Sequence, residues 1–540
     1  MHRYSRRSFI KTMAAAGCGT VLSPWAFVSC ASRPEFDVII RGGQIADGLG
    51  SALFAGDVGI TADRIRAVGS LAKAVARSEI DAGGLVVAPG FVDIHSHTDE
   101  GLLRNPRAES KVRQGVTLDV GGNCGDSPFS GQGDEMERLR SGRFALNAAL
   151  FAGQGSIRQA VLGEEARSPD ASELERMRDL VRQAMEQGAV GLSSGLEYMP
   201  SGYAAVEEVI ALCKVVAEHR GVYATHMRSE DEKLVEAVEE ALRVARESGV
   251  SLQISHLKAA GKPNWHKTDA VIGLIEKARA EGLDVHCDRY PYLAYSTGMS
   301  IFYPGWALEG GREAFVARLN DPSQRRRMKS ETLAKVDANG GWETVMVAGV
   351  RAEQNRAWVG RRVDEIAREL KKDAYEAACD MLVSEGGGIS VVGFAMSAAD
   401  TDRIISLPYV MIASDGRAMS AERAREGGRP HPRSFGTFPR AIREYVREKR
   451  LVSMPEMIRK MTSMPADKLG FRDRGRIQAN AFADIVVFDA DTIADQATYL
   501  EPWQYPQGIV HVLVSGAPVI SSSEQTDDLP GKLIITQNGV

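Results

Sequence analysis

Between Pro89 and Asp473, short apolar runs alternate with amphipathic stretches, and this alternation most constrains the fold. FVDIHSH, GVTLDVGGN, AVGLSSG, GVYATHM, VSLQISH, LDVHCDRY and YVMIASD read as strands. SELERMRDLVRQAMEQG, DEKLVEAVEEALRVARESG and TDAVIGLIEKARAEG carry apolar residues at helical spacing and close on Gly. Strand–helix alternation predicts a parallel sheet clothed in helices, hence an α/β protein. Over residues 89–475 it predicts a (β/α)8, TIM-like barrel. Residues 35–88 and 476–540 have another texture, with short alternating runs broken by Gly and Asp turns. The two chain ends are expected to pair into one small β-sandwich domain.

Several of these strands end in one kind of chemistry. FVDIHSH ends in His95 and His97, GVTLDVGGNC in Cys124, GVYATH in His226, VSLQISH in His256 and YVMIASD in Asp415. Barrel strands deliver the residues at their C-terminal ends to one face. On a strand, residues i and i+2 point the same way, so His95 and His97 can grip one ion. His226 and His256 stand about one strand–helix unit apart and fall on neighbouring strands. Taken singly, each residue has a plain alternative. A lone strand-end His is usually a hydrogen-bonded structural group, a lone Cys a buried apolar one, and Asp415–Gly416 an ordinary turn. Five separate strand ends supplying ligand types argue instead for a metal centre made of His95, His97, Cys124, His226, His256 and Asp415. Imidazole and thiolate favour zinc, a carboxylate can complete the set, and a thiolate can bridge two cations.

Composition sets the class of partner. Apolar residues make up 44% and charged residues 25%, which excludes global disorder. The net charge is −5, although the first 30 residues carry Arg3, Arg6, Arg7 and Lys11 and no acid. A body more acidic than the whole chain gives no support for nucleic-acid binding. Residues 1–30 combine this basic head with an Ala/Gly-rich apolar run, the pattern of a signal peptide. SRRSFIK, with Arg6 and Arg7 adjacent, resembles the twin-arginine export signal, so a periplasmic location is expected. That route exports folded proteins, which suits a body that takes up metal in the cytoplasm. FVSC offers Cys30 as a lipid-anchor site. No other stretch reaches the ~20 apolar residues of a membrane span. The six cysteines are scattered, which argues against a disulfide framework.

The motifs resemble those of the amidohydrolase superfamily, and more closely its D-aminoacylase (N-acyl-D-amino-acid deacylase) branch. FDVIIRGGQIADG and VVAPGFVDIHSHTD resemble the superfamily opening; GNCG, GLSSGLEYMPSGYA, THMRSE, ISHLK, DRYPYLAYST, SDG and HPRSFGTFPR are similar to branch motifs. The likeness runs through nearly all of the chain after residue 35. Many superfamily members use a carboxylated lysine as the bridge, whereas this branch uses cysteine, as Cys124 suggests here. The resemblance implies that His226, His256 and Cys124 hold a tightly bound zinc. His95 and His97 hold a second, weak or empty position that Cys124 bridges. It implies that Asp415 is the general base and then acid. Arg433 would pair with the substrate carboxylate, together with Tyr290 and Ser296, with Lys258 and Tyr198 nearby. Two features depart from the branch. Gln154 stands where relatives usually carry His, and the interval from Asp415 to Arg433 is longer.

The implied reaction is zinc-dependent hydrolysis of the amide bond of N-acyl-D-amino acids. A substrate with a free carboxylate calls for a guanidinium fork, and Arg433 lies in a Gly-, Pro- and Arg-rich stretch, 416–440, expected to act as a lid. Tyr290 and Ser296 belong to a YPY-type run that could equally be packing. Other carbon–nitrogen hydrolases share the pattern, among them a dipeptidase, a cyclic amidase or an aryl-amide hydrolase. An exported binding protein with a relic site would lack a ligand or the acid, and this sequence retains each.

Overall fold

The computed structural model describes residues 34–130 and 134–535. The leader and Cys30 therefore lie outside the described residues. The fold is α/β. Strands Phe91–Asp93, Val116–Gly121 and Asn147–Leu150 form a three-stranded parallel sheet. Ala152–Gly153, Gly191–Gly195, Val222–His226, Ser251–Ile254, Val285–Arg289 and Val410–Ile412 form a six-stranded parallel sheet in that order. One stretch of chain passes from the first sheet to the second at Phe151. There Phe151 N donates to Gly121 O at 3.0 Å, and Val190 N to Leu150 O at 2.9 Å. At the other edges Asp415 N donates to His95 O at 2.8 Å, and His97 N to Gly416 O at 2.9 Å.

Both faces of these strands are buried, as expected for parallel strands covered by helices. Val92 and Ile94, Leu118 and Val120, Ala149 and Phe151, Val222 and Ala224, and Met411 and Ala413 are i, i+2 pairs that share one cluster. The opposite faces pack on the helices. Ala171–Glu186 starts with an Asp170–Glu173 capping box, which satisfies amide groups that the first turn leaves free. Leu234–Ser248 stops at Gly249, whose φ of 74° suits a residue without Cβ. These helices, and Thr268–Ala280, match the sequence expectation.

The chain ends do meet. Ile485–Phe488 runs antiparallel to Val86–Pro89, placing strands from 36–89 and 485–525 in one nine-stranded sheet. Two features escape the sequence reading. The strand at 147–153 is Ala-rich and does not alternate, so periodicity gives it no signal. Residues 295–393 form a separate lobe inserted between the strands Val285–Arg289 and Val410–Ile412. It holds a three-stranded antiparallel sheet and its own core of Phe302, Phe315, Met328, Trp342, Tyr375 and Val391.

Candidate active site and metal centre

The proposed ligands all follow the C-terminal ends of parallel strands, and three sit on unusual backbone. Cys124, His256 and Asp415 have φ of 56°, 34° and 49°. Such left-handed conformations cost an L-residue about 1–3 kcal/mol and gather at functional sites. Around Cys124 the chain turns on Gly122 and Gly125, with φ of 71° and 86°. A Cβ on Gly122 would sit 2.2 Å from Phe151 O. Asn123 Nδ2 donates to Val120 O at 2.9 Å and Ser96 O at 3.4 Å, tying the Cys124 turn to the segment that carries His95 and His97.

These turns aim the side chains at one point. Cys124 Sγ lies 3.4 Å from His95 Nε2 and 4.0 Å from His226 Nδ1. His226 Nδ1 lies 3.0 Å from His256 Nε2. Asp415 Oδ1 lies 3.1 Å from His97 Nε2 and 3.6 Å from His95 Nε2. The sets Cys124–His226–His256 and His95–His97–Cys124 each bring one ligand atom per residue within 4.8 Å of one another. So does the set His95–His256–Asp415. Cys124 belongs to the first two and can bridge them.

The electrostatics fit a cation. Burial disfavours charge on each group, yet neighbours prevail. The imidazoles, chiefly His95, hold the Cys124 thiol well below its usual pKa. His226 is raised to about 10, chiefly by Glu230 and Cys124, and His97 to about 9 by Asp415 and Cys124. The raised imidazole pKa values mark a pocket rich in anionic groups, which is the setting a divalent ion would meet. Thiolate, imidazole and carboxylate are the donors such an ion takes.

A sequence profile of the amidohydrolase family matches residues 78–371 and 426–520. A D-aminoacylase of Alcaligenes xylosoxydans xylosoxydans is 35% identical over 93% of this chain and 98% of its own length. An N-acyl-D-glutamate deacylase of the same organism is 34% identical over 93% and 97%. The chain belongs to the amidohydrolase family. A crystal structure of N-acyl-D-glutamate deacylase from Bordetella bronchiseptica superposes with a TM-score of 0.79 at 31% identity. It covers 93% of this chain and 100% of the other, and contains zinc and a phosphonate mimic of the tetrahedral intermediate. This amidohydrolase is a hydrolase acting on carbon–nitrogen bonds other than peptide bonds.

In this amidohydrolase a cavity of about 920 Å³ opens over the cluster. His97, Cys124, His226, His256 and Asp415 line it, as do Arg433, Tyr290, Ser296, Lys258 and Tyr198. His95 lies fully buried beneath. Arg433 Nη1 approaches Asp415 Oδ2 at 2.7 Å. The contact lacks hydrogen-bond alignment, so this is a charge contact and the N–H keeps no directed partner. The guanidiniums of Arg433 and Arg289 lie 4.8 and 4.5 Å from the centre of the Tyr290 ring, whose buried hydroxyl has no hydrogen-bond partner. Tyr198 packs its ring 4.6 Å from that of His226. Lys258 is engaged by Glu230 and lies 3.0 Å from His256 Nδ1, so its ammonium is already paired.

The stretch expected as a lid differs from a loop. Residues Arg433–Arg440 form a helix, and Arg433 to Pro439 are buried. Arg433 N donates to His431 Nδ1 at 3.0 Å, while His431 Nε2 meets Ala294 O at 2.8 Å. Arg433 is thus placed by the first turn of a packed helix, which Pro432, with its fixed φ, introduces. Gln154 is fully buried and lies outside the cavity lining. Its amide donates to Glu208 Oε1 at 3.0 Å and accepts from Ser201 Oγ, so it braces the turn below Tyr198.

The remote nitrogens of the imidazoles expose residues that sequence reasoning missed. His95 Nδ1 meets Asp288 Oδ1 at 3.2 Å, and His226 Nε2 meets Glu197 Oε2 at 3.0 Å. His256 Nδ1 lies 2.8 Å from Glu230 Oε1, without hydrogen-bond alignment. Such partners fix which nitrogen faces a metal. Deeper still, the fully buried Lys111 Nζ reaches Asp93 Oδ2 at 2.6 Å, Asp119 Oδ1 at 3.3 Å and Ser414 Oγ at 2.8 Å. This network clamps the strand that leads to His95 against the residue before Asp415.

Proposed function

We propose that this amidohydrolase binds zinc and hydrolyses the amide bond of N-acyl-D-amino acids, giving a carboxylate and a free D-amino acid. One observation carries the reading. A cysteine is shared by two sets of histidines, and two of those histidines, His95 and His97, meet an aspartate whose other oxygen is met by a buried arginine. That arrangement suits an acyl amino acid, which offers an amide to the cluster and a carboxylate to the guanidinium. The named relatives are a D-aminoacylase and N-acyl-D-glutamate deacylases, and the solved one holds zinc.

Cys124, His226 and His256 would hold the tight ion, and His95, His97 and the shared Cys124 a second, weaker one, with Asp415 completing the set. Bound zinc supplies a Lewis acid for the carbonyl oxygen and acidifies water toward a pKa of about 7. The remaining work falls to the chain. Arg433 leaves its loose contact with Asp415 to take the substrate carboxylate, joined by the free hydroxyl of Tyr290 and by Ser296. Asp415, ionised, accepts the proton of the attacking water and returns it to the departing nitrogen. Without that return the leaving group would be an amide anion. Tyr198 and Lys258 hold His226 and His256 from the cavity side.

The wider reading has the same status. With 147–153 counted as one strand, the eight parallel strands are taken to close into a (β/α)8 barrel over 89–475. Backbone bonds at Phe151 and at Asp415 join both edges of the two parallel sheets in support. The nine-stranded sheet is read as a sandwich of 35–88 and 476–540, because Ile40, Val58, Ile485 and Leu513 point into one core. Export by the twin-arginine route to the periplasm, with Cys30 lipidated, rests on the sequence of residues 1–30 alone. Among the described residues no helix is long and apolar enough to cross a membrane.

The test is amine release from a panel of N-acetyl-D- and N-acetyl-L-amino acids, with cyclic and aryl amides beside them, and metal analysis of the same sample. Preferential turnover of the D-series by zinc-loaded protein is expected. Turnover confined to cyclic or aryl amides would overturn the substrate assignment.

A further inference from the structure

The inserted lobe contributes several side chains to the cavity, and one of them, Lys335, contacts a carboxylate behind His226. Lys335, on the helix Pro322–Ala338, sets Nζ 2.6 Å from Glu197 Oε1 and 2.7 Å from Asp231 Oδ2. The other oxygen of Glu197 contacts His226 Nε2 at 3.0 Å, and His226 Nδ1 faces Cys124 and His256. A continuous line of polar contacts therefore joins the lobe to a metal-facing nitrogen. Its outer end is fixed, because Asp231 also accepts from Asn339 Nδ2 at 2.9 Å and Ser229 Oγ at 2.7 Å.

Two of the other three imidazoles, His95 and His256, are backed differently. Asp288, behind His95, is held by Gln253 Nε2 at 2.9 Å and by the backbone N of His256 at 2.8 Å. Glu230, 2.8 Å from His256 Nδ1 and 3.8 Å from His226 Nε2, is paired with Lys258, two residues beyond His256. Both supports come from the parallel strands and their own loops. Glu197 takes its cation from the insert. A carboxylate held at one oxygen alone is free to swing about its Cγ–Cδ bond. Holding the second oxygen turns it into a fixed acceptor for the imidazole N–H.

We propose that Lys335 is a positioning residue through which the inserted lobe sets His226 for the metal, by way of Glu197. Seating of the lobe and affinity for the ion are then linked, each favouring the other. The proposal rests on the metal-centre reading given above, and its test separates the two.

Zinc affinity is measured by chelator competition on the demetallated full-length protein, with circular dichroism and thermal melting as the check on folding. Removal of such an outer partner weakens metal binding by about 10–100-fold, and Lys335→Met is expected near the lower end of that range. Lys335→Arg restores most of the affinity. Glu197→Gln gives a loss of its own, and adding Lys335→Met to it causes no further loss, because both act through one contact. Wild-type affinity in a folded Lys335→Met protein overturns the proposal. So do losses that multiply in the double variant, or a failure of Lys335→Arg to recover affinity while it remains folded. A wild-type protein that takes up no zinc overturns the metal-centre reading itself.

Discussion

Asp415 suits the role of base proposed for it because its surroundings keep it charged. Burial pushes its carboxyl up, but the Arg433 guanidinium, followed by His95 and His97, holds it well below the usual carboxylate range. An ionised Asp415 can accept a proton at neutral pH. Asp415→Asn is expected to keep its zinc and lose about 10²–10⁴-fold in kcat; a variant of normal turnover would remove the proton-transfer role. Arg433→Met has two effects. Loss of the carboxylate partner raises KM. Loss of the nearby cation raises the pKa of Asp415, so the acid limb of kcat/KM moves to higher pH, where less acid suffices to protonate the base. A limb that stays in place would show that Arg433 does not set this charge. The clustering of His95, His97, Cys124, His226, His256 and Asp415 was legible in the sequence because each ends or follows an apolar strand. Glu197, Glu230 and Asp288 lie in equally visible stretches and were not legible. An acid that faces the far side of an imidazole has no spacing rule to announce it, and Lys335 arrives from an insertion.

At the scale of the element, the turn after Val116–Gly121 is the most exacting. Gly122 must adopt a positive φ, and its missing Cβ leaves room for Phe151 O. Gly122→Ala is expected to shift the Cys124 turn, lower the melting temperature and lower metal content together. Unchanged metal content in the folded variant would show that the turn does not position the thiolate. The helices could be read from their spacing and Gly stops, since an amphipathic helix on a parallel sheet shows one apolar stripe. The strand at 147–153 could not, because its small residues fit a crowded interior without alternating. Arg433 was expected in a loop from the Gly and Pro around it; here Pro432 opens a helix instead.

Across the whole molecule, the outline was legible and the insertion was not. The changed texture at 35–88 and 476–540 foretold that the ends pair, and they share one sheet. Residues 295–393 have ordinary composition, and only their separate core marks them as a lobe. That lobe walls the cavity with Ile301, Phe302, Arg312 and Lys335, so it shapes both the space for substrate and the backing of His226. On the proposed function, these distant stretches share one ion. The most direct measurement titrates zinc into rigorously demetallated protein while hydrolysis of an N-acetyl-D-amino acid is followed. The expected result is no turnover at the start and a rise that saturates near one equivalent per chain; full turnover before any zinc is added would contradict it.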